Sequence, residues 1–335
     1  MPASSIEAPS ESTGLALAQV GDDARHATFA DVIATDDGFI VVGSTGQGEA
    51  PAAFSSADGI SWTEEAISAR PGLLPTELVR WGDRVVALGG THLGDCSVEG
   101  GLDLWVRERD GVWTEVPSDP ALCVSGPAAV VIFQGRPWLV GETRSEVPIL
   151  AQSHDGFTWT DHHDQLGDVH VYDAAADASG LWIFARTLGG PITIHSEDGV
   201  HWASEPLRTA SGAEIQVDHV AIVRGSVVVL GSTSSGGVRL VRLPGGRWGL
   251  AEMDGTFTPD FRSVADGDGP LIGVSTGFVI EQGGVWTSGD GIAWRRVAMP
   301  REVAASVSAG AIHDDRVVFL ANDRIWTASS SILAP

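Results

Sequence analysis

The amino-acid sequence predicts an all-β protein, a seven-bladed β-propeller with four strands in each blade. Three observations support this fold class: a turn motif that recurs at a nearly constant interval, a short apolar run before each copy, and Asp-Gly pairs between the apolar segments. Four-stranded repeats of about 40–45 residues are typical of propellers, in which neighbouring blades cover each other's faces.

The turn motif is Ser-x-Asp-Gly-x-x-Trp, and its four full copies end at Trp62, Trp159, Trp202 and Trp294. Two degenerate copies end at Trp113 and Trp248, so that the closing tryptophans follow each other at intervals of 51, 46, 43, 46 and 46 residues. A catalytic motif is needed once in a chain. A motif that returns in almost every repeat therefore indicates architecture.

Seven apolar runs, rich in Val and usually ending at a small residue, supply the second marker: FIVVGS, RVVALGG, PWLVG, LWIFA, SVVVLGS, PLIGV and RVVFLA. Runs of this length between turn residues are typical of strands that are covered on both faces. In the first repeat the four predicted strands are FADVIAT, FIVVGST, PAAFSS and ISWTEEA. The Asp-Gly pairs favour tight turns, because Gly accepts positive φ and Asp can bond nearby amides.

The predicted blades cover residues 26–66, 75–117, 126–162, 168–207, 215–252, 259–299 and 304–331. The seventh repeat shows only three strands, and the segment GLALAQV near the start belongs to no repeat. Because an open sheet edge invites aggregation, we expect residues 14–20 to supply the outer strand of the last blade. Residues 1–13 are predicted to be a flexible leader, and residues 14–335 a single propeller domain.

The composition excludes some partners. The formal net charge is −24, and all basic residues are Arg. An acidic surface repels phosphate backbones, so no nucleic-acid partner is expected. No apolar run approaches the roughly 18 residues that a membrane span needs, so no membrane insertion is expected. We expect a monomer.

The repeated motif resembles the Asp box of the BNR-repeat, sialidase-like propellers, although one residue between Asp and Gly is missing here. In that family the box is a structural turn between the third and fourth strands, remote from the active site. The resemblance implies structural roles for Asp58, Trp62, Asp155, Trp159, Asp198, Trp202, Asp290 and Trp294. A sialidase also needs an arginine triad and a Tyr nucleophile. The single Tyr, Tyr172, and the scattered arginines argue against that activity.

Aligning the repeats on their second strands places one residue of each blade near the start of the innermost strand: Asp31, Glu77, Ala129, Asp173, His219, Arg262 and Ala309. With the neighbouring His170 and Tyr172, the candidate ligand-binding residues are Asp31, Glu77, His170, Tyr172, Asp173, His219 and Arg262. Such groups at a channel mouth can shift each other's pKa values and perform acid–base chemistry. They can equally line a wet channel.

The ligand-rich segment DHHDQLGDVH supplies weak metal candidates, His162, His163 and Asp164. Its spacing matches no established metal motif and adjacent side chains of an extended chain point apart, so we predict no metal. There is no Gly-rich phosphate loop in a strand-to-helix context, and no cofactor is predicted.

Cys96 and Cys123 are the only cysteines, and both fall in predicted loops at the same end of the second blade. We predict a disulfide, which implies a secreted or cell-envelope protein. The alternatives are two free thiols and a cytoplasmic protein, since the start of the sequence lacks a signal peptide.

Three functions remain open from the sequence. The first is an exported binding protein that engages a glycan or a protein through one face of the propeller. The second is a glycan-active enzyme, a polysaccharide lyase or hydrolase, that uses the acidic, His and Tyr residues at the channel mouth. The third is a structural or assembly-factor module.

Overall fold

The structure is a computed structural model, and it describes residues 15–20, 27–45, 50–67, 73–90, 103–116, 129–143, 145–177, 179–208, 214–223, 226–233, 236–242, 248–250, 261–265, 271–275, 284–289 and 294–333. Its strands form seven sheets of four antiparallel strands, and one sheet carries an additional fifth strand. Six sheets are built from four consecutive strands, and the seventh combines the last three strands with one from the N-terminal segment. The predicted seven-bladed β-propeller is therefore confirmed.

The N-terminal segment contains β1 (Ala16–Leu17) and β2 (Gln19–Val20). Blades 1 and 2 consist of β3 (Thr28–Thr35), β4 (Gly38–Thr45), β5 (Ala50–Ser56) and β6 (Ser61–Glu65), then β7 (Leu74–Trp81), β8 (Arg84–Gly90), β9 (Asp103–Arg107) and β10 (Trp113–Glu115). Blades 3 and 4 consist of β11 (Ala129–Phe133), β12 (Arg136–Glu142), β13 (Pro148–Ser153) and β14 (Trp159–Asp161), then β15 (His170–Asp177), β16 (Gly180–Thr187), β17 (Gly190–Ser196) and β18 (Ala203–Pro206).

Blades 5 and 6 consist of β19 (Gln216–Val223), β20 (Ser226–Thr233), β21 (Gly236–Arg242) and β22 (Trp248–Leu250), then β23 (Phe261–Ala265), β24 (Leu271–Ser275), β25 (Gly284–Ser288) and β26 (Arg295–Arg296). Blade 7 consists of β27 (Val307–His313), β28 (Arg316–Ala321) and β29 (Arg324–Ser329). The described helices are short: α1 (Arg301–Ala304) and two 3-10 turns, His163–Gln165 and Ser330–Leu333.

The hydrophobic core lies between blades. In β4, Phe39 and Val41 belong to a cluster shared with blade 7, whereas Ile40 and Val42 belong to a cluster shared with blade 2. Successive side chains of a strand point to opposite faces, so a strand that is buried on both faces needs apolar residues at every position. This is the physical reason for the unbroken apolar runs in the sequence.

The small residues that end several of these runs make room for the innermost strand. A Cβ atom added to Gly43, Gly89 or Gly231 would lie only 2.0–2.1 Å from a backbone carbonyl oxygen of the inner strand of its own blade. Such an approach is far inside van der Waals contact. The second strand therefore needs Gly at these points.

The ring closes as predicted. Strand β1 pairs antiparallel with β29, with Ala16 opposite Thr327, and completes blade 7. The structure adds a contact that the sequence did not predict: β2 pairs in parallel with β6, the outer strand of blade 1. Between them, the Ala18 N–H donates to the Ile325 carbonyl oxygen over 2.9 Å. The six residues from Leu15 to Val20 thus bind the outer edges of the first and last blades together.

Candidate functional site at the channel mouth

A β-bulge interrupts the innermost strand of six blades at the same position, near the end of the channel where these strands begin, which we call the top face. The additional residues are Ala30, Thr76, Tyr172, Asp218, Arg262 and Ser308. Bulges redirect side chains and are frequent beside functional sites. The turns between second and third strands lie at this same face.

In these six blades the residue after the bulge pairs with the second strand in the same register, and in blade 3, whose described inner strand begins at Ala129, that residue has the same register. This column contains Asp31, Glu77, Ala129, Asp173, His219, Ser263 and Ala309. The sequence alignment placed Arg262 in the column, but the register places Ser263 there and Arg262 at the bulge. The side chains of His219 and Arg262 lie outside the described part of the structure, so their ligand-binding roles remain predictions.

Two of the column carboxylates join neighbouring blades. Asp31 in blade 1 accepts the Val32 N–H on Oδ1 and the Leu78 N–H of blade 2 on Oδ2, both over 2.8 Å. Asp173 in blade 4 accepts the Ala174 N–H and the Val220 N–H of blade 5 in the same way, again over 2.8 Å. In both cases the donor from the next blade follows its own column residue. These carboxylates therefore hold the inner strands in register.

Glu77 differs, because its carboxylate makes no hydrogen bond with a described residue. Burial raises the pKa of Glu77 to about 8, and the negative charges of Asp31 and Asp173 add to this effect. Burial also raises the pKa of Asp31 to about 7, against two amide hydrogen bonds that lower it. Each of the three residues is partly exposed to solvent. Three carboxylates from blades 1, 2 and 4 are thus close enough to interact electrostatically.

A second charged group lies between blades 3 and 4. The buried Glu142, at the end of β12, accepts the Val171 N–H on Oε1. The exposed His170 places Nδ1 3.7 Å from that carboxylate and Nε2 4.0 Å from an oxygen of Glu146. The sequence reasoning missed Glu142. The sequence feature that could have identified Glu142 is its place directly after the apolar run PWLVG. Blade 1 has Ser44 at the equivalent position.

Tyr172 is a bulge residue, and its half-buried side chain packs against the hydrophobic cluster between blades 4 and 5. The structure therefore brings Asp31, Glu77 and Asp173 together, and places His170 beside Glu142 on the same face. Tyr172 contacts the core between its own blade and the next.

The Asp-Gly-Trp motifs form turns between the third and fourth strands, at the opposite end of the channel. In blade 1, Asp58 Oδ1 accepts the N–H groups of Ile60 and Ser61 over 2.8 and 2.9 Å, and Ser56 Oγ accepts the Gly59 N–H over 2.9 Å. Asp155 and Asp198 make the equivalent bonds in blades 3 and 4. The glycines of these three turns have positive φ, for example +67° at Gly59.

These amide hydrogen bonds lower the pKa of Asp58 and of Asp155, the latter to about 2. The pKa of Asp198 is lowered first by a hydrogen bond with the His201 side chain and then by its turn amides. The closing residues Trp62 and Trp294 are buried, whereas Trp159 and Trp202 are partly buried against interblade clusters. Asp290 lies outside the described residues.

The two degenerate motifs have Arg at the position of the motif Ser, and both arginines cross to the preceding blade. Arg107 of blade 2 forms a two-pronged pair with Glu65 of blade 1, over 2.5 and 2.7 Å. Arg242 of blade 5 pairs with Glu205 of blade 4. In blades 2 and 5 an ion pair to the preceding blade therefore replaces the hydrogen bond that the motif Ser makes within its own turn.

The weak metal candidates do not converge. His162 packs on Trp138 with 5.5 Å between ring centroids, while His163 faces Asp161 and Asp164 over 2.6 and 3.2 Å. The described residues contain no group of three or more His, Cys, Asp or Glu arranged to hold a metal ion. Cys96 and Cys123 lie outside the described ranges, so their disulfide remains a prediction. In the same ranges no helix is long and apolar enough to cross a membrane.

No family model and no curated protein sequence matches the chain. Solved structures do match its fold. Virginiamycin B lyase from Staphylococcus aureus is 9% identical, has a TM-score of 0.62, and the match covers 94% of this chain and 98% of that one. The β-propeller domain of Cps50 (Swd1) from Myceliophteria thermophila is 11% identical, with a TM-score of 0.58 and coverage of 91% and 96%.

A structure from a study of two prolyl endopeptidases is 14% identical, with a TM-score of 0.55, and the match covers 92% of this chain but 49% of that one. Unrelated functions share this fold. At these identities the similarity shows that the chain is a β-propeller, and it does not select among a lyase, an endopeptidase domain and the propeller of Cps50.

Proposed function

We propose that the protein is a binding propeller that takes a neutral glycan at the top face, in the mouth of the central channel. The observation that carries the proposal is the position of Glu77 beside Asp31 and Asp173. Asp31 and Asp173 use their oxygens to join blades, whereas Glu77 makes no hydrogen bond with a described residue and is partly exposed to solvent. A polar group in that position favours a ligand that supplies hydrogen-bond partners.

The charge state of this group favours a polyhydroxylated, uncharged ligand. With a pKa raised to about 8, the Glu77 carboxyl is mostly protonated at neutral pH and can both donate and accept a hydrogen bond. Sugar hydroxyls do the same. An anionic ligand would face two carboxylates already present, at an unfavourable electrostatic cost.

The experiment is a screen of neutral and sialylated oligosaccharides against the wild-type protein, Glu77→Gln and Glu77→Ala. We expect a neutral glycan to bind, and its affinity to fall at least tenfold with Glu77→Ala. Glu64→Gln is the control, because Glu64 is an exposed residue on the outer strand of blade 1. A glycan that binds Glu77→Ala as tightly as wild type, or a protein partner without any glycan binding, would contradict the proposal.

One observation favours a second function, a glycan-active enzyme. The exposed His170 lies 3.7 Å from the buried Glu142, within ion-pairing distance, and an imidazole beside a carboxylate is a common arrangement for acid–base chemistry. The test is incubation of the bound glycan with wild type and His170→Ala. Product that accumulates over hours with wild type alone would favour the enzyme, and intact glycan would favour the binding protein.

We also propose that the Asp-Gly-Trp turn is a shortened Asp box and that the protein is exported. The turn supports the first part, because Asp58, Asp155 and Asp198 accept turn amides between third and fourth strands. The expected disulfide between Cys96 and Cys123 supports the second. Thiol titration of the denatured, unreduced protein checks it, with no free thiol expected. Two reactive thiols would remove this support for export.

A further inference from the structure

The N-terminal segment shows that the outer edge of a blade accepts an additional strand. Strand β2 lies parallel to β6 and gives blade 1 five strands, with Gln19 beside Ser61 and Val20 beside Trp62. The other described sheets have four strands each. A peptide that adds to a sheet edge in this way gains main-chain hydrogen bonds, and its side chains at alternate positions give specificity.

Blade 4 offers the same kind of edge as blade 1. The pairing of His195 with Ala203 in blade 4 has the register of Ser55 with Thr63 in blade 1, one residue after the motif tryptophan in each case. The outer strand of blade 4, β18, runs for four residues, whereas those of blades 2, 3, 5 and 6 run for two or three. Among the described strands, none lies on the outer side of β18.

The backbone of Ser204 points toward this open side. The Leu207 N–H donates to the Pro191 carbonyl oxygen of β17 over 2.9 Å. Along an antiparallel pair the backbone groups point alternately toward the neighbouring strand and away from it, and the register of β17 with β18 is unbroken. Glu205 therefore bonds β17, whereas the N–H and C=O of Ser204 point outward. Pro206 occupies the next outward position, where a strand tolerates a residue without an N–H.

The edge of blade 4 also lacks a charge at this outward position, two residues after the motif tryptophan. Four other blades have a charged residue there: Glu64, Glu115, Asp161 and Arg296. Charged residues on an edge oppose the addition of a strand, and in blade 1 the pairing of β2 ends at Trp62, before it reaches Glu64. In blade 4 the position is the uncharged Ser204. The carboxylate of β18, Glu205, forms an ion pair with Arg242 of blade 5.

Apolar side chains next to this edge are open to solvent. Trp202 is partly exposed, and Val200 in the adjoining turn is 67% exposed. In blade 1 the equivalent Trp62, beside which β2 lies, is only 7% exposed. A strand that added to β18 as β2 adds to β6 would place a side chain beside Trp202. An apolar side chain there would remove apolar surface from water, which stabilises the complex.

We propose that the outer edge of blade 4 is a docking site for an extended, apolar peptide segment of a partner protein. The segment pairs in parallel with β18, bonds the backbone of Ser204 and places an apolar side chain beside Trp202. This pairing uses no residue of the channel mouth. The inference therefore goes beyond the proposed glycan binding and does not depend on it.

The test titrates the full chain with a synthetic peptide of the sequence GLALAQV, that of residues 14–20, while backbone amide NMR signals are followed. We expect the amides of Trp202 and Ser204 to shift, because the outward N–H of Ser204 gains a partner. Ser204→Pro removes this donor without removing a bond to β17, and should weaken binding at least tenfold. Ser204→Ala is the matched control, since it keeps the N–H, and should bind as wild type does.

A second variant keeps the test decisive if Ser204→Pro lowers the melting temperature. Ser204→Glu puts a carboxylate where blade 2 has Glu115, and should weaken binding to the same extent. Peptide binding that both variants retain would overturn the docking site. Shifts confined to Ser61 and Trp62 would also overturn it, because they would show that the peptide exchanges with β2. The absence of shifts near Ser204 at millimolar peptide would have the same consequence.

Discussion

Asp31 lines the channel and Asp58 lies in an exposed turn at the opposite end of blade 1, yet each carboxylate accepts two backbone N–H groups over 2.8–2.9 Å. Their pKa values nevertheless move in opposite directions. The amide bonds lower the pKa of Asp58, whereas burial outweighs the same bonds and raises the pKa of Asp31 to about 7. Water around the turn solvates the charge, and the crowded channel wall does not.

The two carboxylates also bind amides at different separations along the chain. Asp58 bonds amides two and three residues away and fixes a local turn. Asp31 bonds an amide 47 residues away and ties blade 1 to blade 2. The channel carboxylate therefore stabilises tertiary structure at the cost of a desolvated charge. The turn carboxylate stabilises one hairpin with little desolvation.

The largest expected effect is that of Asp31→Ala. This change leaves the amides of Val32 and Leu78 without their acceptor in the channel wall, which should lower the free energy of unfolding by about 2–4 kcal/mol. Asp58→Ala is the control, with an expected loss of about 1–2 kcal/mol, because water can replace the acceptor in an exposed turn. Urea unfolding at pH 6 measures both. Equal losses would show that burial does not separate the two regions.

The second prediction concerns the pH dependence of stability. Because the pKa of Glu77 is raised from 4.5 to about 8 in the folded protein, the folded state binds more protons than the unfolded state between these values. Stability should therefore fall as pH rises from about 5 to 9. In Glu77→Gln this fall should become shallower, with the variant more stable than wild type at pH 9. Parallel profiles for the two proteins would contradict the raised pKa.

The fold was predictable because its repeat occurs many times in the chain. Seven apolar runs and six turns fixed the blade count, and the three-strand last repeat pointed to Leu15–Val20 as the closing segment. The pairing of β2 with β6 was not predictable, since two residues in a parallel contact leave no periodicity in the sequence. The turn roles of Asp58, Asp155 and Asp198 followed from local spacing, because their partners lie within three residues.

The channel was harder to predict, because its contacts join distant segments. A bulge adds one residue to a strand, so an alignment on the second strands could not distinguish Arg262 from Ser263. The role of Asp31 depends on an amide in the next blade, and Glu142 on the Val171 N–H of blade 4. The residues next to Asp31 and Glu142 in the sequence do not indicate which distant N–H group each carboxylate binds. A column of ionisable residues could be predicted, but the separation of Glu77 from Asp31 and Asp173 required the structure.

A third prediction tests the turns at acid pH. The lowered pKa of Asp155, about 2 in the folded protein against an ordinary 3.8, means that its contribution to stability is present above pH 4 and lost as pH falls toward 2. Asp155→Asn should remove this part of the acid destabilisation without changing glycan affinity at pH 7. Thermal unfolding between pH 2 and 5 measures the first effect. A change in glycan affinity would instead give the turn a role in binding.

The smallest expected effect is at His201, whose Nδ1 lies 2.7 Å from Asp198 Oδ2 in the turn of blade 4. The hydrogen bond and charge of Asp198 raise the pKa of His201 above its ordinary 6.5. Any stability from this pair is present at acid pH and lost as pH rises through the raised value. Because both side chains are exposed, water and salt screen the interaction, and His201→Ala should leave the melting temperature within error of wild type.

Proton NMR should nevertheless show His201 titrating above pH 6.5, and the shift should shrink in 0.5 M salt and vanish in Asp198→Asn. A raised pKa that persists in Asp198→Asn would contradict the assignment to the carboxylate. A raised pKa without measurable stability would complete the contrast with the channel. At the exposed turns the pKa shift is caused by a local hydrogen bond. At Asp31 and Glu77 it is caused by burial, which disfavours the charged carboxylate.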